Sequence, residues 1–213
     1  MPFSVRGVAR RYLNFVPGEK ISVINNIFQN PIIGTFSLKS KLTILARQEF
    51  GFDYTECIYG GRAAYEQIWT QINIRIGLAP DSNVSAATLN ALKVTWAATI
   101  ANVWSNKFGL GMPGEITSPL LFQAIFTDTD THHIVQVSNG PDQSNEGQWF
   151  TTISSGGVAH EFGHMFGLVD EYVDPNCPDR NPVNTGTIMD NNSPTIVARF
   201  MTVFARAIQS NVV

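Results

Sequence analysis

The chain is short of cysteine, of charge and of long apolar runs, and each shortage removes a class of protein. Two cysteines, Cys57 and Cys177, in 213 residues cannot define a disulfide framework. Neither has a cysteine or histidine at the spacing of a structural metal knuckle. They stand either as one pair closing a long loop or as two buried thiols. Charged residues make up only 15% of the chain, and its 14 Lys and Arg are scattered rather than striped, so nothing points to nucleic acid. No apolar run approaches the ~20 residues a membrane span needs. Arg6, Arg10 and Arg11 are followed by no apolar core of a secretory signal. The expectation is a protein exported by a leaderless route, or one whose leader has been trimmed. No internal repeat or low-complexity tract is visible.

What is present suits one globular domain with a sizeable core: 44% of residues are hydrophobic and 11% aromatic, with a net charge of −3. Residues 1–35, broken by Pro17-Gly18, Asn25-Asn26 and Asn30-Pro31, read as an irregular arm or linker. Residues 36–213 read as the functional domain. Alternation of Phe36, Leu38, Leu42, Ile44 and Ala46 with polar residues predicts a half-buried strand. Gly60-Gly61 predicts a turn, and Ile72, Ile74, Ile76 and Leu78 predict a second strand stopping at Pro80. Asp81 or Ser82 opens a polar stretch able to cap a helix. Leu89, Leu92, Trp96, Ile100, Val103, Trp104 and Phe108 give residues 85–108 helical spacing with a core-facing stripe.

Residues 120–126 form a continuous apolar run, expected to be a strand buried on both faces. Residues 132–137 read as an edge strand, with His132 and His133 at the surface; neighbours on a strand point to opposite faces and cannot chelate one ion together. Residues 140–147 read as a loop. Ser154 or Ser155 is the expected N-cap of the next helix, and Gly156-Gly157 suggests close packing. Residues 174–187 are loop-like. Ser193-Pro194 predicts the start of a last helix, with Ile196, Val197, Phe200, Val203, Phe204 and Ile208 on its apolar face.

The informative stretch is residues 158–172, V-A-H-E-F-G-H-M-F-G-L-V-D-E-Y. His160 and His164, four apart on a helix, share a face and can aim two imidazole nitrogens at one point. Glu161 beside the first histidine is placed to act as a base. Gly167 permits the positive φ that ends a helix and reverses the chain, which lets Asp170 return a carboxylate to the same point. Glu171 could serve instead if the turn were displaced by one residue, but Asp170 is preferred. The bland alternative, an amphipathic helix with its polar residues in solvent, leaves the offsets of glycine and aspartate unexplained.

This HExxHxxGxxD pattern resembles the metzincin clan of zinc metallopeptidases, and Thr185-Gly186-Thr187-Ile188-Met189-Asp190 resembles the clan's Met-turn. The likeness is close over about residues 155–192. It implies an α+β, two-lobed catalytic domain with a mixed twisted sheet and long helices. The upper lobe would span about residues 36–167 and the lower lobe, with a C-terminal helix, about 168–213. It further implies one catalytic Zn²⁺ held by His160, His164 and Asp170, with Glu161 as general base and Gly167 and Met189 as structural support. A protein or peptide substrate would lie extended along an edge strand, for which residues 132–137 are the candidate by position. Tyr172 either packs or stabilises an oxyanion. Some members place a tyrosine ligand two residues after the methionine; here that position is Asn191. Some cap the zinc with a prosegment cysteine, a role that nothing around Cys57 supports.

The expected activity is that of a secreted zinc metalloendopeptidase, a hydrolase cutting peptide bonds. Two alternatives are carried with it: a binding module that holds zinc without turnover, and a peptidase exported as a bacterial toxin or effector, which the wording H-E-F-G-H…G-L-V-D-E-Y resembles. The composition carries no acidic or basic cleft signature, and neither substrate preference nor oligomeric state is legible.

Overall fold

A computed structural model describes residues 47–111 and 117–207, together with the backbone of 211–212. The arm at 1–35, the strand expected from Phe36 as far as residue 46, and Ile208 lie outside the described residues. The architecture is α+β, a mixed sheet with a few helices.

The described residues open on a hairpin that the sequence pattern did not mark. Strands β1 (Gln48–Glu56) and β2 (Tyr59–Ile68) pair antiparallel from Gln48↔Gln67 to Glu56↔Tyr59. The turn is Cys57-Ile58, with Cys57 at φ 53°, so Gly60-Gly61 lies inside β2 rather than at the bend. Strand β3 (Gln71–Pro80) carries Ile72, Ile74 and Ile76, all fully buried, as its alternation predicts. Helix α1 (Ala86–Trp104) is capped by Ser85, whose side chain accepts from the Thr88 amide and which lies within the polar stretch that opens at Asp81. It ends at Trp104, short of Phe108. The buried Trp96, Ile100, Val103 and Trp104 give it the expected core face.

After β4 (Gly109–Gly111) and β5 (Ser118–Pro119), strand β6 (Leu121–Phe126) pairs parallel with β3 from Gln71↔Leu121. It is not buried on both faces: Phe122 and Ala124 point inward while Leu121 and Gln123 are exposed. Strand β7 (His133–Ser138) pairs parallel with β3 through Ile76↔His133 to Pro80↔Val137, and with β8 (Gln148–Phe150) through Gln136↔Gln148. The expected edge strand is therefore interior. The two histidines are half-buried and tied down rather than free at the surface. His132 accepts from the Arg75 amide through Nδ1 and donates through Nε2 to Glu49, 2.9 Å away. His133 Nε2 lies 3.0 Å from the Ala64 carbonyl and 3.1 Å from that of Met165.

Helix α2 (Ser155–His164) is followed by the single turn α3 (Ile188–Asn191). The last helix starts later than Ser193-Pro194 implied. A 3₁₀ turn, Ala198–Met201, runs into α4 (Thr202–Ala207), and β9 (Asn211–Val212) pairs with β4. Phe200, Met201 and Phe204 are buried in the same core as Trp104, Phe122, Phe162 and Phe166. Aromatic contacts, edge-on for Trp104–Phe166 at 5.0 Å and tilted for Trp104–Phe122 and Phe122–Phe166, knit α1, β6 and the chain just after α2 together. Cys57 and Cys177 form a disulfide across 120 residues, tying the β1–β2 turn to the loop after α2. Among the described residues no helix is long and apolar enough to cross a membrane.

Candidate metal centre

Helix α2 is fixed before its side chains are considered. Ser154 caps it by accepting from the Gly157 amide at 3.0 Å. Trp104 Nε1 donates to the Ala159 carbonyl at 2.9 Å, binding α2 to α1. Gly163 is there for close approach: a Cβ on it would fall 2.6 Å from the Met189 sulfur and 3.2 Å from the Trp104 ring. Met189 is fully buried, and its sulfur packs against the helix at Gly163.

The helix ends as the glycine predicts. Gly167 sits at φ +95°, its amide donating to His164 O at 2.9 Å, while the Leu168 amide donates to Gly163 O at 3.2 Å. That pair of bonds is a Schellman reversal, and it turns Asp170 back toward the helix. Asp170 Oδ1 lies 3.0 Å from His160 Nε2 and 3.2 Å from His164 Nε2, and the two Nε2 atoms are 3.1 Å apart. His160, Glu161 and His164 are buried and form a cluster that could hold a metal ion, their ligand atoms all within 4.8 Å of one another. Asp170 Oδ1 closes that cluster from the side opposite the helix.

The far nitrogen of each ring decides what the near one offers. His160 Nδ1 is 2.8 Å from the Ile188 carbonyl and His164 Nδ1 is 2.8 Å from the Leu168 carbonyl. A carbonyl only accepts, so both Nδ1 atoms carry protons and a neutral ring presents a lone pair at Nε2. Three lone-pair atoms thus meet at about 3 Å, an arrangement that repels itself unless a cation or extra protons sit among them. Donors each 2.0–2.1 Å from a tetrahedral ion lie ~3.3 Å apart, close to the observed edges, so the donor set fits such an ion. The protons show the same demand. Burial pulls the His164 pKa down, but the Asp170 hydrogen bond and charge outweigh it and push it up to about 9. Burial opposes ionisation of Asp170, yet hydrogen bonds from the two imidazoles hold its carboxyl well below the usual carboxylate range.

Glu161 lines the cleft beside this cluster. Burial raises its pKa, opposed by the two histidines and reinforced by Asp170 and Glu146. Glu171, the alternative ligand, is committed elsewhere. Its carboxylate takes Thr185 Oγ1 at 2.5 Å, Thr187 Oγ1 at 2.7 Å and the Arg199 guanidinium at 2.6–2.7 Å, while its amide donates to the Met189 carbonyl at 2.7 Å. It ties the segment carrying Asp170 to the Met189 turn. Tyr172 lines the cleft half-buried; burial first, then the Asp170 carboxylate, push its pKa up to about 12. The Arg180 guanidinium stacks on its ring at 4.7 Å.

Three residues with no sequence signal complete the surroundings. Tyr54 on β1 places its hydroxyl 3.3 Å from both the His164 carbonyl and Glu146 Oε2. Burial and the Glu146 charge raise its pKa. Glu56 and Arg180 form an ion pair at 2.9 Å behind Asp170. The cleft, about 1150 Å³, also gathers acids that are scattered in the sequence: Glu56, Asp142, Glu146, Glu161, Asp170 and Asp190 line it, with no lysine or arginine among its lining residues. An acidic cleft was not legible from composition. No protein-family model, curated protein or solved structure matches the chain.

Proposed function

We propose that the protein is a zinc-dependent endopeptidase built on a metzincin-like, two-lobed plan, with His160, His164 and Asp170 as metal ligands and Glu161 as general base. The observation that carries this reading is the convergence of two imidazole Nε2 atoms and one carboxylate oxygen, 3.0–3.2 Å apart, beside a glutamate. Two nitrogens and one carboxylate are the donor set of catalytic rather than structural zinc sites, which use four protein ligands. When bound, the ion supplies the Lewis acidity that polarises a carbonyl and makes water a nucleophile near neutral pH.

The chain's own residues do the rest. The Ile188 and Leu168 carbonyls hold the imidazoles in the tautomer and orientation that ligation needs. Glu161 takes the proton of the attacking water and delivers it to the departing amine as the peptide C–N bond breaks. An extended peptide runs along the cleft, which the β1–β2 turn and residues 141–146 both line. The disulfide supports an oxidising, extracellular setting, in keeping with an exported protein.

The rival reading, a zinc module without turnover, has no use for Glu161. Among the described residues no donor hydrogen-bonds to that carboxylate, which lines the open cleft. The direct test is cleavage of a denatured protein substrate by the zinc-loaded chain, before and after removal of the metal with a chelator and after zinc is restored. Activity lost and regained supports the proposal; activity indifferent to chelation and reloading contradicts it.

A further inference from the structure

Arg180 reaches the centre from a loop that carries no motif, and its side chain is only 1% exposed. Its Nη2 lies 2.9 Å from Glu56 Oε2 and 3.6 Å from Asp170 Oδ2, and its Nη1 donates to the Tyr172 carbonyl at 3.0 Å. The guanidinium lies over two aromatic rings, 4.7 Å from the centre of Tyr172 and 5.9 Å from that of Tyr59. Buried in this way and absent from the cleft lining, it cannot meet a substrate. What it does meet is the back of a proposed ligand. The two oxygens of Asp170 are divided, Oδ1 toward the imidazoles and Oδ2 toward Arg180.

We propose that Arg180 is a positioning residue for the metal centre: its charge, 3.6 Å from Asp170 Oδ2 without a hydrogen bond, draws that oxygen back so that Oδ1 stays aimed at His160 and His164, and thereby raises affinity for the divalent ion. This rests on the zinc reading above. A carboxylate free to rotate presents either oxygen, or both; a guanidinium behind it leaves one oxygen forward. Partners of this kind are worth about 10–100-fold in metal affinity. The fork itself is anchored. Glu56 precedes Cys57, and the Arg180 amide donates to the Cys177 carbonyl at 3.1 Å, so the Cys57–Cys177 bridge fixes the two chain segments that supply the ion pair. Tyr59, next to the same turn, donates its hydroxyl to Asp174 at 2.7 Å.

The test is the Zn²⁺ dissociation constant, read by competition with a chromogenic chelator, on folded protein checked by circular dichroism. Arg180→Gln is expected to weaken binding about 10–100-fold, and Arg180→Lys to recover part of that loss by keeping the charge without the fork. Because Arg180→Gln leaves the partly buried Glu56 carboxylate without its partner, the double variant Arg180→Met/Glu56→Met removes both charges together and is expected to fold and still bind weakly. The decisive comparison is in the Asp170→Asn background. If Arg180 acts through Asp170, adding Arg180→Gln there changes affinity by less than about threefold, whereas a general structural role would weaken binding equally in both backgrounds. Wild-type affinity in the folded Arg180 variants, or full additivity with Asp170→Asn, would overturn the inference while leaving the zinc reading standing. A wild-type chain that takes up no Zn²⁺ would overturn both.

Discussion

His160 and His164 present their Nε2 atoms to each other at 3.1 Å, while their Nδ1 atoms donate to carbonyls of two different segments, Ile188 and Leu168. Helical spacing alone brings the rings to one face. Their aim is set by chain that arrives later: the reversal after Gly167 supplies Leu168, and the turn at Met189 supplies Ile188. The reversal and the Met189 turn are therefore part of the ligand geometry, and each can be perturbed without touching a ligand.

Replacing Glu161 separates holding a metal from using it. Glu161→Gln keeps the shape of the side chain and removes the base, so zinc content is expected to stay at the wild-type level while the rate of peptide cleavage falls about 10²–10⁴-fold. The paired measurement is elemental analysis and turnover on the same preparation. Equal turnover by both proteins would mean that Glu161 is not the base.

Glu171 gives a different signature. Its buried carboxylate joins Thr185, Thr187 and Arg199, and Glu171→Ala leaves two hydroxyls and a half-exposed guanidinium without it. The expected cost is about 2–3 kcal/mol in urea unfolding, discounted from a fully buried pair because Arg199 is partly solvated. A loss below about 0.5 kcal/mol would show that the Met189 turn does not depend on this junction.

The disulfide closes a loop of 120 residues. In the chain-entropy description such a bridge stabilises by about 4–5 kcal/mol. The variant Cys57→Ser/Cys177→Ser should therefore unfold at markedly lower denaturant concentration than the oxidised wild type, and reduced wild type should match the variant. Coincident unfolding curves for oxidised wild type and variant would contradict a formed bridge.

Acid stability should report Glu49, far from the metal centre. Burial opposes its ionisation, but hydrogen bonds from His132 and Arg47 and the Arg75 charge lower its pKa from 4.5 to about 2. A depressed carboxylate contributes stability that is present above pH 4.5 and lost as pH falls through about 2, here at most about 3 kcal/mol. Unfolding free energy measured from pH 5 to pH 2 is expected to fall less steeply in Glu49→Gln than in wild type. Parallel slopes would rule out this linkage.

The candidate site was legible where its logic is local. His160 and His164 share a face because of helical spacing, Gly167 marks a positive φ, and Asp170 follows at the offset a reversal needs; all three are short-range consequences of one stretch. Tyr54, Glu56 and Arg180 were not legible, because strand pairing and a disulfide bring them to the site from as far as 110 residues away. The same division holds for the fold. Strand β3 and helix α1 announce themselves by strong periodicity. The β1–β2 hairpin hides behind Gly51, Gly60 and Gly61, and its turn is made by Cys57 at positive φ instead of by glycine. Residues 132–137 read as an edge because their alternation is short and mixed. Pairing to both β3 and β8 was invisible, as were the backbone and Glu49 partners that hold the half-buried His132 and His133.

The most direct test of the central claim is the zinc content of the purified, zinc-equilibrated chain, compared with His160→Ala, His164→Ala and Asp170→Asn. Two imidazoles and a carboxylate converging on a single ion predict close to one Zn²⁺ per wild-type chain. The same geometry predicts near-complete loss in either histidine variant and clearly weakened retention in Asp170→Asn. A folded wild-type chain without bound zinc, or one whose zinc survives loss of both histidines, would contradict it.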